Sequence, residues 1–182
     1  MKAHEILKEF TPDTLAGSFD RGLIFNKLWL IHELGKIKDS FSTIYILGSW
    51  YGNLSLLLAK SNINYDHIVN VDTDADRVRQ GQAMARQMHV ADRIEPMVKD
   101  ANQLTYMQLD KNGLVINCSV HDMENLGWFD NIPSGVMVVL QSRTDVDHDL
   151  DSYPLSTMLY DGSLQLKDPE TWYTSLLRIG IK

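Results

Sequence analysis

The chain has 182 residues, 17 of them basic and 24 acidic, and its formal net charge is −7. This length suits one domain with a complete core, and the acidic balance disfavours duplex nucleic acid, whose binding proteins usually carry basic stripes. A single cysteine, Cys118, excludes an internal disulfide and predicts a cytoplasmic location. No apolar run approaches the roughly 20 residues that cross a bilayer, so no membrane partner is expected. A small molecule or a protein is the expected substrate, and composition leaves the oligomeric state open.

Residues 1–40 are predicted to form a helical lead-in to a core that spans residues 43–182, all within one domain. Asp20 is a good N-cap residue, and the apolar residues that follow it predict a helix ending near Ile37. The apolar set of this helix is broad, which indicates that more than one of its faces is buried.

Short apolar runs then alternate with helical segments. The predicted parallel strands are, in chain order, 43–47, 67–71, 93–98, 114–117 and 136–140. A helix is predicted over 53–60, and Asp74 is placed to cap another. This alternation predicts an α/β fold, a single-domain Rossmann-like three-layer sandwich with a mostly parallel sheet. Two further runs, 163–166 and 173–181, predict a C-terminal antiparallel hairpin and raise the expected total to about seven strands.

The turn after the first strand, Gly48-Ser49-Trp50-Tyr51-Gly52, is the most informative stretch. Glycine permits positive φ and lets the backbone approach a ligand closely. The second strand ends near Asp72, whose carboxylate has the oxygens to accept hydrogen bonds from both hydroxyls of a ribose. Because Asp74 is placed to cap the next helix, Asp72 is expected to be free for that role. The strand, turn, helix and second strand together predict a nucleotide or nucleoside site.

In this order of parts, residues 43–182 resemble the class I S-adenosylmethionine (SAM)-dependent methyltransferases. The resemblance implies SAM as the cofactor and methyl transfer to a small-molecule or protein acceptor as the activity. It implies that the turn cradles the methionine part of SAM, that Asp72 holds the ribose, that Asp100 contacts the adenine and that Asn117 faces the methyl group. The residues that it places around the cofactor are Gly48, Ser49, Trp50, Gly52, Asp72, Thr73, Asp100, Ala101 and Asn117.

Trp50 stands where the family's turn carries its middle glycine. This residue supports a second hypothesis, a catalytically degenerate binding or regulatory protein that acts through a partner. A third hypothesis is a nicotinamide-dinucleotide enzyme, but the Gly-x-Gly-x-x-Gly spacing of that class is absent because three residues separate Gly48 from Gly52.

The segment from Asn117 to Glu124 leaves the fourth strand at the edge where ligands of open α/β sheets bind. His121 is predicted to take a proton from an acceptor hydroxyl or amine, since imidazole changes charge near neutral pH. Asp122 or Glu124 is expected to orient it, and Asn117 completes the predicted catalytic group. The alternative is a solvated loop with ordinary charges.

No metal site is predicted. Asp145, Asp147, Asp149 and Asp151 alternate like the first positions of a calcium-binding EF-hand loop, but Leu150 takes the place of its glycine and Ser156 that of its glutamate. His121, Asp122 and Glu124 do not reproduce a zinc-ligand pattern.

Overall fold

The computed structural model describes residues 21–106, 109–123, 125–144, 150–167 and 172–182. Its α-helices are α1 (Arg21–Ile37), α2 (Asn53–Ala59), α3 (Ala75–Gln87) and α4 (Gly127–Asp130). Its strands are β1 (Ser40–Leu47), β2 (Asn64–Asp72), β3 (Ile94–Val98), β4 (Leu114–Asn117), β5 (Met137–Arg143), β6 (Thr157–Lys167) and β7 (Trp172–Ile181). Short 3-10 helices lie at Ala91–Arg93, Ala101–Gln103, Val120–Asp122 and Leu150–Ser152.

The strands form one seven-stranded sheet in the order β3-β2-β1-β4-β5-β7-β6. The strands β1 to β5 run parallel to one another, whereas β7 is antiparallel to both β5 and β6. This topology confirms the predicted α/β Rossmann-like fold with its C-terminal hairpin. The predicted bounds of β4 are also confirmed, while β1, β2, β5 and β6 extend further than their apolar runs.

Alternate residues of β1 face opposite sides of the sheet, as strand geometry requires. Ile44 and Ile46 pack into one core cluster, which includes apolar residues of α1, α2 and α3. Tyr45 and Leu47 pack into a second cluster on the other face. In the described part of the chain the longest α-helix over that face is α4, so loops and short 3-10 helices form most of the third layer.

The arrangement of β1 between β2 and β4 positions the candidate site. On one side of β1 the sheet continues with β2 and then β3, and on the other side with β4 and then β5. Strand order therefore reverses at β1, and a crevice opens beyond the carboxyl ends of β1 and β4. The turn from Gly48 to Gly52 and the segment that begins at Cys118 both leave the sheet at this edge.

Four of the sequence predictions fall on residues that the structure does not describe. Outside the described ranges lie the first half of the predicted helical lead-in (1–20), Asp20 as the expected N-cap of α1, Glu124 as an expected partner of His121, and the acidic run from Asp145 to Asp149. Within those ranges, no cluster of three or more His, Cys, Asp or Glu side chains is suited to a metal ion. Nor does any described helix have the length and apolarity needed to cross a membrane.

Candidate functional site

The turn between β1 and α2 adopts positive φ at three residues. The φ angles are 59° at Gly48, 53° at Trp50 and 72° at Gly52. A Cβ atom at Gly52 would lie only 2.8 Å from Nδ2 of Asn70, so both backbone shape and space require glycine there. Trp50 adopts the left-handed conformation usual for glycine, which is uncommon for a bulky side chain and indicates that the surroundings hold it in place.

Asp72 helps to stabilise this conformation of Trp50. Its Oδ2 accepts a hydrogen bond from the Trp50 N–H at 2.8 Å, and its Oδ1 accepts one from the Asp74 N–H at 2.9 Å. Asp74 caps α3 by accepting from the N–H groups of Asp76 and Arg77, as predicted. Asp72 does not cap α3, but its carboxylate ties the end of β2 to the Gly48–Gly52 turn, so its binding of a ribose stays a prediction.

Among the described residues, two cavities meet this edge, and the larger, with a volume of about 620 Å³, brings together residues from four segments of the chain. Most of the predicted cofactor residues line it: Gly48, Trp50, Asp72, Thr73, Asp100 and Ala101, together with Asp122. Ser49, Gly52 and Asn117 are not among its lining residues. Gly52 instead ends the turn as the N-cap residue of α2.

Asp100 also lines this cavity and follows β3. Its Oδ1 accepts hydrogen bonds from both the backbone N–H and the side-chain amide of Asn102, at 2.9 and 3.0 Å. Asn102 in turn accepts from the Trp128 N–H at 3.0 Å, which joins this loop to α4. The loop is therefore held by side-chain bonds, and the second carboxylate oxygen of Asp100 makes none of these contacts.

The indole of Trp50 forms a wall of the larger cavity without filling it. Trp50 is 44% exposed, and the Arg77 guanidinium carbon lies 5.4 Å from the centre of its ring. Both residues line the cavity, which keeps its 620 Å³ with the indole in this position. A cation over an indole face is attracted by the ring electrons, so this contact stabilises the observed position of the indole.

The smaller cavity has a volume of about 250 Å³ and lies between α1 and the carboxyl ends of β4 and β5. It shares Gly48, Trp50, Ser119 and Asp122 with the larger cavity, so the two meet at the Gly48 turn. One wall is fixed by the Gln141 side-chain amide, which donates to Asn26 Oδ1 at 2.9 Å. This bond ties β5 to α1.

His121 lines only the smaller cavity, whereas Asp122 lines both. The His121 side chain is 22% exposed, and its Nε2 lies 3.7 Å from Asp122 Oδ2, which is too long for a hydrogen bond. Its Nδ1 is buried and has no hydrogen-bond partner among the described residues. The structure thus brings two of the three predicted catalytic residues, His121 and Asp122, close together, and the buried His121 Nδ1 has no hydrogen-bond partner among the described residues.

Asn117 lines neither cavity. It is fully buried, its Oδ1 accepts from the Ser119 N–H at 2.9 Å, and its Nδ2 donates to Met123 Sδ at 3.1 Å. These bonds stabilise the segment that follows β4, and they use both polar atoms of the Asn117 side chain. The contact of Asn117 with a methyl group stays a prediction.

Several lining residues escaped the sequence analysis. Lys27 and Asn26 interrupt the apolar pattern of α1, and Gln141, Ser142 and Arg143 are polar residues at the carboxyl end of β5. The rule that pointed to Asn117, a polar residue at the end of a buried strand, applies equally to the end of β5. The polar residues of α1 had no such signal, because only the tertiary fold brings that helix over the sheet edge.

Comparison with known proteins gives structural relatives only. No family model matches the sequence, and no curated protein matches it. NodS, an N-methyltransferase from Bradyrhizobium japonicum WM9 solved with S-adenosyl-L-homocysteine (SAH), is 12% identical and has a TM-score of 0.69, with 97% of each chain covered. A geranyl diphosphate methyltransferase solved with SAM is 11% identical with a TM-score of 0.63, over 85% of this chain and 84% of its own.

An RNA methyltransferase from Salinibacter ruber, solved with SAH, is 18% identical with a TM-score of 0.58, over 85% of this chain and 90% of its own. At these identities the likeness concerns the backbone, and the acceptors named for these proteins differ from one another. The chain therefore has the Rossmann-like fold of the class I SAM-dependent methyltransferases.

Proposed function

We propose that the protein binds SAM and transfers its methyl group to a small-molecule or protein acceptor. The observation that carries this proposal is the position of Asp72 at the end of β2, where its carboxylate lines a roomy cavity beside the Gly48 turn. Three structural relatives were solved with SAM or SAH bound, which agrees with it.

The residues of the larger cavity fit an adenosine group. An ionised carboxylate offers about four acceptor positions, and the two backbone N–H groups occupy two of those on Asp72. The remaining positions are available to the two hydroxyls of a ribose. The cavity volume of about 620 Å³ falls within the usual range for small-molecule sites, about 300–1,000 Å³. Asp100, which also lines the cavity, has its Oδ2 available for the adenine amino group.

When bound, SAM supplies a sulfonium-activated methyl group, which a nucleophile on the acceptor attacks in line. The chain's contribution is then alignment, exclusion of water and removal of a proton where the acceptor carries one. Alignment of two reactants is worth about 7–11 kcal/mol of the barrier. His121 is the proposed proton acceptor, and a positioned base adds about two to four powers of ten in rate. Asp122, which lines both cavities, is the proposed group that stabilises the charged imidazole.

The smaller cavity is the proposed place of the acceptor's reacting group. Its volume of about 250 Å³ is below the range typical of drug-sized ligands, about 300–1,000 Å³, which favours a small molecule or a single protein side chain. The net charge of −7 again disfavours a nucleic-acid duplex. The cytoplasmic location stays a prediction that depends on the single cysteine.

Titration calorimetry of the purified protein with SAM, SAH and NAD⁺ tests the proposal. We expect both sulfur nucleosides to bind and NAD⁺ to give no heat beyond dilution. Binding of NAD⁺ alone would support the dinucleotide alternative, and binding of none of the three would remove the cofactor assignment.

A catalytically degenerate binding protein remains the second candidate, and Trp50 in place of the family's middle glycine is the observation that favours it. The two candidates differ in turnover, not in SAH binding. Incubation with methyl-labelled SAM and fractionated cell extract distinguishes them, because only an enzyme converts SAM to SAH in step with label transfer.

A further inference from the structure

The two outer strands of the sheet, β3 and β6, differ in how they leave its edges. An outer strand has one row of unpaired backbone N–H and C=O groups, and proteins usually protect that row with a short strand, a proline, charges or a cover. The strand β3 has five residues with Pro96 at its centre. The strand β6 has eleven residues and no proline, and its pairing with β7 is regular from Tyr160 to Lys167. Among the described residues, no strand pairs with the other side of β6.

The side chains of this regular part of β6 alternate in polarity and in burial. On the face towards α1, where Trp29 and Tyr160 meet edge to face with ring centres 6.4 Å apart, every residue is buried or half-buried. On the other face every residue is polar and exposed. The first set is Tyr160, Gly162, Leu164 and Leu166, and the second is Asp161, Ser163, Gln165 and Lys167. A further strand added alongside β6 would continue both faces of the sheet.

A second copy of the chain can pair with this edge in only a few registers. Around a two-fold axis perpendicular to the sheet the two β6 strands run antiparallel, and directly opposed residues point to the same face. Because side chains alternate between faces, one residue of each strand must then oppose its own copy at the axis. Within the regular part, only Ser163 or Leu164 at the axis lets seven residues of each strand pair.

The charged residues of β6 distinguish these two registers. With Leu164 at the axis, Asp161 of each copy opposes Lys167 of the other, so the symmetry produces two ion pairs, and Leu164 meets its own copy. With Ser163 at the axis, Asp161 opposes Gln165, and Lys167 lies beyond the regular pairing. Since opposite charges and apolar side chains that face each other across two strands attract, the first register is favoured.

The local contacts of both charged residues are compatible with this register. Asp161 accepts a hydrogen bond from Arg178 Nε at 3.1 Å through Oδ2, which leaves Oδ1 to accept a second donor. Lys167 lies beside the exposed ring of Trp172, with its Nζ 5.8 Å from the ring centre, and forms none of the ion pairs found among the described residues.

We propose that the edge of β6 is a docking surface for a second copy of the chain, which pairs antiparallel over residues 161–167 with Leu164 on the two-fold axis. The two seven-stranded sheets then continue into one sheet of fourteen strands. Because the contact consists mainly of strand pairing and two exposed ion pairs, it gives a dimer that dissociates on dilution. This proposal does not depend on the binding of SAM.

Sedimentation velocity of the full chain between about 1 μM and about 1 mM tests the dimer. We expect the mass of the wild type to rise with concentration from 20.8 kDa towards twice that value. Asp161→Lys and Lys167→Asp should each weaken dimerisation by about tenfold or more, because both opposed pairs then carry like charges. An equimolar mixture of the two variants should dimerise again, since each substituted residue then opposes its counterpart of opposite charge.

Asp151→Lys is the matched control. Asp151 binds the same Arg178 side chain but lies in the 3-10 helix Leu150–Ser152, so its replacement disturbs that arginine without changing the edge of β6. We expect this variant to dimerise like the wild type. Amide hydrogen exchange gives an independent measurement: residues 161–167 of the wild type should exchange more slowly at high concentration than at low, and those of Asp161→Lys should not.

A wild type that stays monomeric at about 1 mM overturns the proposal. A dimer that both charge variants retain also overturns it, because another surface then forms the contact. If each variant is folded by circular dichroism but their mixture stays monomeric, the register with Leu164 at the axis is wrong. Loss of the dimer in Asp151→Lys as well would assign the effect to Arg178 and not to the edge.

Discussion

Replacement of Asp72 by Ala is expected to change both the stability of the protein and its affinity for SAH. The hydrogen bonds of Asp72 give the size of each change. Asp72 is 9% exposed and accepts hydrogen bonds from the N–H groups of Trp50 and Asp74 at 2.8 and 2.9 Å. A hydrogen bond to a charged group contributes about 1.5–3 kcal/mol. Because Trp50 is 44% exposed, water partly replaces the lost acceptor. We therefore expect Asp72→Ala to lower the free energy of unfolding by about 2–4 kcal/mol.

The same substitution removes the acceptors proposed for the ribose. Loss of those bonds is expected to weaken SAH binding by about 1–3 kcal/mol. Urea unfolding gives the first quantity, and titration calorimetry under conditions where the variant is folded gives the second. The two measurements separate the structural contribution of the carboxylate from its contact with the ligand.

Asp74→Ala is the matched control. Asp74 caps α3 in the same loop and does not line either cavity, so its loss is expected to cost about 0.5–2 kcal/mol of stability with little effect on SAH affinity. Equal weakening of SAH by both substitutions would mean that affinity depends only on loop stability. Unchanged SAH affinity in Asp72→Ala would refute the ribose assignment.

Three further predictions concern other parts of the site. Substitution of His121 by Ala is expected to reduce methyl transfer by about 10²- to 10⁴-fold while calorimetric SAH affinity stays the same, and an unaltered rate would exclude it as the base. Gly52→Ala should lower the free energy of unfolding in urea by about 1–3 kcal/mol, since its Cβ would meet Asn70 at 2.8 Å at a φ of 72°. Gly35→Ala, with nothing within 4 Å, is its control and should raise that free energy by up to about 1 kcal/mol; equal effects would contradict the reasoning. Because burial raises the pKa of Cys118, its thiol should react with a disulfide reagent at neutral pH more slowly in the native protein than in urea; equal rates would show that burial does not suppress the thiolate.

Hydrophobic pattern predicted the strands best where both faces are buried. All four residues of β4 are buried, and its bounds were predicted correctly. The strand β6 lies at the edge of the sheet, and most of its residues are exposed, so only its last apolar residues were recognised. Pairing with β7 extends it from Thr157 to Lys167, with a bulge between Met158 and Tyr160. Backbone pairing of this kind leaves little trace in composition.

Some residues of the candidate site could be predicted from the sequence, and others only the fold brings together. Asp72, Gly48 and His121 follow strand ends, so the rule that ligands bind at the carboxyl edge of a parallel sheet was sufficient to find them. The bonds that Asp72 makes to Trp50 and Asp74 depend on the path of the turn, which residue types alone do not specify. Lys27 reaches the site from α1, far from His121 in the chain, and only the packing of that helix reveals it.

A crystal structure of the protein with SAH tests the central claim most directly. We predict adenosine in the larger cavity, with both ribose hydroxyls within hydrogen-bonding distance of Asp72 and the Trp50 indole still at the cavity wall. A structure in which that indole occupies the adenosine position, or in which SAH binds away from Asp72, would contradict the account.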